Sequence, residues 1–242
     1  MKLGIMQPYF FPYLGYFAII EHTDKFIFFD TPQYIHHGWV NRNRILNSSG
    51  GPSYVIVPIR KAGRETPINK IEIDNSQDWK SSLWGKLTVY KKKAPNYTRV
   101  MEMLHAILDK RYDNLAALNI NSTVEVCSYL GIKNKFEVFS EMNLKLPLVL
   151  EPDEWALYTT EASGYTTYVN PPGGIAFFNR EKFAEKNIGL EFLELELKPY
   201  VQRTGHFEKG LSVIDVMMFC SEKEITDMLH SFKMSDTAGC GL

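Results

Sequence analysis

The stretch from Met6 to Phe17 reads MQPYFFPYLGYF, and it connects two apolar segments near the start of the chain. Residues 2–6 form a brief apolar run that ends at a proline-containing loop, which predicts a buried strand. Residues 16–20 predict a helix, and residues 25–29 predict a second buried strand. A strand, a loop, a helix and a strand in this order are the beginning of a βαβ unit.

The same alternation resumes in the second half of the chain. Further strands are predicted at 54–57, 68–74, 136–139, 166–169 and 190–197, and helices at 153–163, 180–187, 212–219 and from 221 onward. Apolar residues at helical spacing predict three helices in between, which we interpret as a helical insertion spanning 76–131. The predicted fold class is α/β, with a Rossmann-like, mostly parallel sheet flanked by helices. We expect 1–232 to form a single α/β domain and 233–242 to be a disordered tail.

The composition sets limits on the function. The chain has 242 residues, of which 45% are hydrophobic and 23% charged, and its formal net charge is −1. This balance indicates neither a nucleic-acid surface nor an anionic membrane as partner. No apolar run approaches the roughly 20 residues that span a bilayer, and the N-terminus lacks the pattern of a signal peptide. The three cysteines are not closely paired and no His or Cys spacing is typical of zinc, so we expect a cytoplasmic protein without disulfides or metal.

Two loops that follow predicted strands are candidates for a ligand site. The first carries Gln7, Tyr9 and Tyr13, and Asp30 and Gln33 follow the next strand. In parallel sheets ligands bind outside the carboxyl ends of the strands. The alternative is that each tyrosine is a core residue whose hydroxyl group contacts solvent.

The second loop runs from Tyr168 to Gly174, where Gly173 and Gly174 permit close approach of a ligand or simply form a turn. Because both loops follow parallel strands, we expect them to face one pocket.

The segment 33–44 is predicted to be a loop dense in functional groups. His36 and His37 are candidate general bases, as is His206 in a later polar loop. The remaining candidates are substrate-binding: Trp39 for stacking, Asn41 and Asn43 for hydroxyl groups, and Arg42 and Arg44, with Lys61, for phosphate. A surface loop without a ligand is the alternative. Asp215, a lone acid in an apolar helix, is expected to be partnered by an arginine or by backbone amides.

Two motifs together resemble the WbqC-like protein family. The first is the stretch 6–17, and the second combines Gln33-Tyr34 with the run 38–44, GWVNRNR. The resemblance extends from Met1 to Cys220. Members of this family are typically encoded among bacterial O-antigen and surface-polysaccharide genes, so the resemblance implies a role in making or modifying a surface sugar. The opening loop is also similar in position to the HxGH motif of nucleotidylyltransferases, with Tyr13 and Tyr16 at the histidine positions.

These inferences lead to one preferred function and one rival. The preferred function is acyl or aminoacyl transfer that forms an amide on a nucleotide-linked amino sugar. The rival is a non-catalytic sugar-nucleotide-binding partner of a transferase or synthase, because the sequence shows no complete set of nucleophile, base and orienting residue. The acyl or aminoacyl donor and any cofactor are not identified by the sequence.

Overall fold

The computed structural model describes residues 1–202 and 204–236. Within these residues the strands are β1 (Lys2–Met6), β2 (Lys25–Phe28), β3 (Arg42–Leu46), β4 (Pro52–Ile56), β5 (Phe136–Val138), β6 (Thr167–Asn170), β7 (Gly189–Leu195) and β8 (Phe232–Asp236). The helices are α1 (Leu14–Glu21), α2 (Trp79–Leu87), α3 (Tyr97–Leu108), α4 (Leu115–Leu130), α5 (Glu154–Ala162), α6 (Arg180–Glu185), α7 (Val213–Phe219) and α8 (Glu222–Leu229). None of these helices is long and apolar enough to cross a membrane.

Six of the described strands form one sheet in the order β5-β2-β1-β6-β7-β8. All neighbouring pairs are parallel except β7 and β8. The predicted α/β class with a mostly parallel sheet is therefore confirmed. Side chains alternate between the two faces of the sheet, so Phe26 and Phe28 belong to one buried core and Ile27 to another.

Helix α1 connects β1 to β2 and is buried along almost its whole length, from Leu14 to Ile20. It lies against β7 on one side and α8 on another. A helix covered on several sides has no solvated face, which explains why its sequence is an unbroken apolar run.

A second sheet lies outside the first and consists of β3 and β4, paired antiparallel. On β3 the side chains of Asn43 and Ile45 point inward and are buried. The prediction of a loop through 33–44 is wrong from Arg42 onward. A strand pattern was not visible because the inward residue Asn43 is polar, which removes the alternation that marks a half-buried strand.

The block α2–α4 is inserted between β4 and β5. Two of its helices begin at a side-chain cap, where the carboxylate of Asp78 accepts from Ser81 N and the amide oxygen of Asn114 accepts from Ala117 N. Helix α4 ends at Gly131, whose φ of 73° is the left-handed conformation that glycine adopts most readily. Each cap satisfies backbone groups that a helix end leaves free.

Two local predictions differ from the structure. Residues 68–74 are not a strand: Ile68–Lys70 is a 3₁₀ turn packed on α4, and only isolated bridges such as Ile59 to Ile73 follow within the described residues. Residues 233–236 of the predicted tail instead belong to β8, because Phe232 and Met234 pack on the core beside β7. Residues 237–242 lie outside the described residues.

Candidate functional site

A large cavity opens at the carboxyl ends of β1, β2, β6 and β7, and its volume is about 1180 Å³. We call it the aromatic cavity. It is lined by Ile5, Met6, Gln7, Tyr9, Tyr13, Phe29, Thr31, Pro32, Gln33, Ile35, Trp39, Pro152, Trp155, Ala156, Thr159, Tyr168, Asn170, Pro171, Pro172, Gly173, Gly174, Phe177, Phe178, Glu194 and Leu195. The opening loop and the loop after β6 therefore face one pocket, as expected from strands that run parallel.

The lining is rich in aromatic rings and poor in charge. Among the lining residues that the structure describes, Glu194 is the only carboxylate, and there is no lysine, arginine or histidine. The nearby ammonium of Lys233 binds Glu196 at 2.6 Å. Within the described residues Glu194 forms no ion pair, and Lys233 lies opposite it on β8.

Four side chains fix the main chain of the opening loop. Asn43 Nδ2 donates to the carbonyl oxygens of Phe10 and Phe11, at 3.1 and 2.8 Å. Ser212 Oγ donates to Phe11 O at 2.8 Å, Tyr16 OH to Gln7 O at 3.0 Å, and Asn119 Nδ2 to Pro8 O at 3.0 Å. These bonds hold a tight loop so that its other side chains can face the cavity.

Tyr13 lies directly over the first turn of α1. A Cβ added to Gly15 would be only 2.3 Å from the Tyr13 ring, so glycine at 15 allows the ring to lie across the helix. Burial raises the pKa of the phenols of Tyr9, Tyr13 and Tyr168. These three hydroxyls therefore stay protonated near neutral pH and offer hydrogen-bond donors rather than bases.

The loop after β6 is built around Asn170. Its Oδ1 accepts from Tyr168 OH at 2.8 Å, and its Nδ2 donates to Pro171 O at 3.1 Å. A Cβ on Gly174 would lie 1.9 Å from Asn170 Nδ2, whereas a Cβ on Gly173 would meet nothing within 4 Å. Glycine at 174 thus allows Asn170 to keep this position in the cavity wall.

The segment 33–39 separates the aromatic cavity from a second, smaller pocket. Gln33 and Trp39 line the aromatic cavity, and Gln33 Nε2 donates to Arg64 O at 2.6 Å. The predicted residues His36, His37, Asn41 and Arg42, together with Lys61, instead line a pocket of about 330 Å³. The two predicted groups of ligand-binding residues are therefore divided between two concave regions.

The amide and guanidinium groups of this segment have mainly structural contacts. Asn41 accepts from Tyr34 OH at 2.9 Å and donates to Val57 O at 3.0 Å. Arg42 donates to Gly38 O and His37 O, which fixes His37 at a φ of 63°. Arg44 donates to Gly210 O at 3.3 Å.

None of the described residues that line the aromatic cavity is a histidine, so the structure does not bring the three candidate bases to this cavity. His206 is exposed, in the polar loop between β7 and α7, and its carbonyl oxygen accepts from Thr204. His36 and His37 are also exposed. A base at the cavity must come from another residue type.

Two buried acids near the site have structural partners. Asp30 follows β2 and accepts from Ser140 N at 3.0 Å and Ser140 Oγ at 2.6 Å. Asp215 accepts from Tyr90 OH at 2.7 Å and Gln202 Nε2 at 2.8 Å, and also from Tyr200 OH. The expectation of an arginine or backbone partner for Asp215 is wrong, because two phenols and an amide satisfy its carboxylate.

Several lining residues were not predicted from the sequence. Asn170 lies within the predicted loop 168–174, although it was not singled out there. Glu194 lies inside the predicted strand 190–197, and it reaches the cavity because β7 ends at Leu195. Trp155, Phe177 and Phe178 carry no such signal, because the face that α5 and the loop before α6 turn toward the sheet depends on tertiary packing. Within the described residues no group of His, Cys, Asp and Glu side chains is arranged to hold a metal ion.

Comparisons with known proteins agree with the motifs. The chain is 29% identical over 219 residues to the uncharacterised protein Rv1507c of Mycobacterium tuberculosis, an alignment that covers 89% of this chain and 92% of that protein. No solved structure matches the chain. The model of the WbqC-like protein family matches residues 7–227. The chain therefore belongs to the WbqC-like protein family.

Proposed function

We propose that the aromatic cavity binds the sugar of a nucleotide-linked amino sugar and that the protein transfers an acyl or aminoacyl group to its amine. The observation that carries this proposal is the lining: many aromatic rings, one carboxylate on Glu194, and no cationic side chain among the described residues. The pathway, surface-polysaccharide assembly, is supported by the association of WbqC-like genes with polysaccharide gene clusters.

The charge of the lining favours a ligand group that is cationic or neutral. Aromatic faces are negative and attract ammonium groups, most strongly where water is excluded. A free phosphate inside the same space would face Glu194 without a compensating cation. An amino sugar carries an ammonium and an apolar ring face, and it fits both features of the cavity.

In the proposed reaction the Glu194 carboxylate accepts a proton from the sugar ammonium, which frees the nitrogen lone pair. The nitrogen forms a bond to the acyl carbon of the donor, and the bond from that carbon to the donor's sulfur or oxygen breaks. The nitrogen loses a second proton as the amide forms, and the leaving group takes up this proton as it departs. In this proposal the hydroxyls of Tyr9 and Tyr13, which stay protonated, donate to the oxyanion that develops on the acyl oxygen.

This proposal replaces the histidines by Glu194 as the base, since the histidines do not line the aromatic cavity. Gln7, Gln33 and Asn170 are assigned to the sugar hydroxyls. Coenzyme A thioester, aminoacyl-tRNA and a free acid with ATP remain alternative donors.

The second candidate is a binding protein without catalysis, which would present the nucleotide sugar to a neighbouring transferase or synthase. One observation favours it: the described lining contains no nucleophile–base pair within one hydrogen-bonded set. A deep aromatic cavity serves binding as well as catalysis.

Isothermal titration with nucleoside-diphosphate-linked amino sugars and their N-acetylated counterparts tests the proposal, followed by mass spectrometry of the same mixtures with each donor class. We expect the N-acetylated forms to bind about tenfold more weakly, a difference of about 1.4 kcal/mol. With one donor, the amino form should gain the mass of the acyl group. Binding without any mass change would favour the second candidate, and equal binding of both forms would contradict recognition of the amine.

A further inference from the structure

The outward face of the β3–β4 sheet carries two arginines and two aromatic rings. Arg42 and Arg44 alternate outward on β3, and Tyr54 is paired with Arg44 on the facing strand. Trp39 stacks beside Tyr54, with ring centroids 6.5 Å apart and an interplanar angle of 27°. We call Trp39, Arg42, Arg44 and Tyr54 the arginine–aromatic face.

Cations and rings alternate across this face. The guanidinium carbon of Arg42 is 4.6 Å from the centre of the Tyr54 ring, and that of Arg44 is 5.7 Å from the Trp39 ring. Trp39 is 42% exposed and Tyr54 is 40% exposed. In the part of the chain that the structure describes, neither guanidinium forms an ion pair with a carboxylate, in contrast to Arg60, which is paired with Glu72. The face therefore offers accessible rings and uncompensated positive charge.

The face is continuous with the aromatic cavity. Trp39 lines that cavity, and with Tyr9 and Tyr13 it also lines a small adjoining cavity of about 230 Å³. Gly210 lines the same small cavity, and its carbonyl oxygen accepts from Arg44. A ligand that leaves the aromatic cavity past Trp39 meets the guanidinium of Arg44 next.

We propose that the arginine–aromatic face binds the nucleoside diphosphate part of the substrate, with the base stacked on Tyr54 and Trp39 and the diphosphate at Arg44 and Arg42. This inference rests on the proposed function, which puts the sugar in the aromatic cavity. Guanidinium groups bind phosphate oxygens through paired donors, and exposed aromatic rings stack on any nucleobase. The aromatic cavity has no cation among its described lining residues, so the diphosphate needs a site outside it.

The pocket lined by His36, His37 and Lys61, which Arg42 borders as well, is a poorer site for this group. Its ring, on Tyr34, is 4% exposed, so a base has no aromatic surface there. Arg60 in that pocket is already neutralised by Glu72 at 3.2 Å. It offers charge without stacking, whereas the arginine–aromatic face offers both.

Titration calorimetry with UDP and dTDP as probes tests this assignment. Tyr54→Ala and Arg44→Gln should each weaken the binding of both probes by about tenfold, since stacking and a charged hydrogen bond each contribute at this scale. The matched control Arg60→Gln should bind UDP as the parent does. Trp155→Ala, which alters the aromatic cavity, should weaken a nucleotide-linked amino sugar but leave UDP binding unchanged. Circular dichroism melting curves check that each variant is folded.

The assignment is overturned if the parent does not bind UDP, or if Tyr54→Ala and Arg44→Gln both bind it with parental affinity. Tyr54→Ala decides the matter alone if Arg44→Gln does not fold. Binding of the nucleotide-linked amino sugar distinguishes failure of this assignment from failure of the proposed function. If that ligand still binds and remains sensitive to Trp155→Ala, only the arginine–aromatic face is wrong. If neither ligand binds, the proposed function fails as well.

Discussion

The side-chain amide of Asn43 spans the carbonyl oxygens of Phe10 and Phe11 and so joins β3 to the loop that forms the cavity wall. Phe11 has a φ of 39°, in the left-handed region that bulky residues rarely adopt. Its carbonyl oxygen also accepts from Ser212. A strained residue persists only where its surroundings fix it, so Asn43 is a structural requirement of the site.

Replacing Asn43 should therefore destabilise the protein. Asn43→Ala removes the donor to the Phe10 carbonyl oxygen and leaves Phe11 O with Ser212 alone, and the expected loss is about 1–3 kcal/mol in the free energy of unfolding. Asn43→Asp should be at least as harmful, because it keeps the size but places a carboxylate oxygen against the same carbonyls. Urea unfolding of both variants measures the effect. Parental stability in Asn43→Asp would show that the donor is not needed.

Much of the fold follows from the sequence because its strands are short, continuous apolar runs. Residues 2–6 and 25–28 are buried on both faces of a parallel sheet, where alternation is not expected. The helix predicted from residue 221 onward is α8, and it begins at a capping box in which Ser221 and Glu224 form both reciprocal bonds.

The division of the site could not be predicted, because it depends on which way one segment faces. Residues 33–39 place Gln33 and Trp39 on the aromatic cavity and His36 and His37 on the smaller pocket. Sequence spacing identifies the functional groups but not this orientation, which is set by contacts to distant residues such as Arg64. The strand β3 was not predicted because its inward residue Asn43 is polar.

Gly174 should be sensitive to substitution, and Gly173 provides the matched control. An alanine at 174 displaces Asn170, so we expect the affinity for a nucleotide-linked amino sugar to fall about fivefold. A Cβ at 173 meets no neighbouring atom, so Gly173→Ala should leave the melting temperature unchanged. The coupling can be measured in a double-mutant cycle with Asn170→Ala. If Gly174 acts through Asn170, its substitution has little further effect in that background. Full additivity would contradict this mechanism.

The buried acid Asp215 makes stability depend on pH. Burial raises the pKa of its carboxyl, although Tyr200, Tyr90 and Gln202 donate to it. At pH values between the ordinary pKa of the unfolded state and the raised pKa of the folded state, the folded state binds more protons at Asp215 than the unfolded state does. The contribution of Asp215 to stability is therefore greatest below the ordinary aspartate pKa of about 3.9, and it falls as pH rises through the interval up to the folded pKa.

Urea unfolding at a series of pH values tests this sign. Relative to Asp215→Asn, the parent should lose free energy of unfolding as the pH rises through that interval, with no further difference above it. Asp227→Asn, which changes an exposed carboxyl on α8, should keep the parental pH dependence. An identical slope in the parent and Asp215→Asn would contradict the raised pKa.

The last prediction compares the two classes of candidate base in a transfer assay. If Glu194 accepts the proton, Glu194→Gln should lower kcat by about tenfold, or about 1.4 kcal/mol of transition-state stabilisation, with a smaller change in KM. Asp227→Asn is the control, because this exposed carboxylate lies on α8 and outside the cavity lining. His36→Asn, His37→Asn and His206→Asn should each keep kcat within about threefold of the parent, since their side chains do not reach the cavity. A tenfold loss in one histidine variant, with Glu194→Gln fully active, would return the role of base to that histidine. It would also mean that the reacting amine lies on the other side of the segment 33–39.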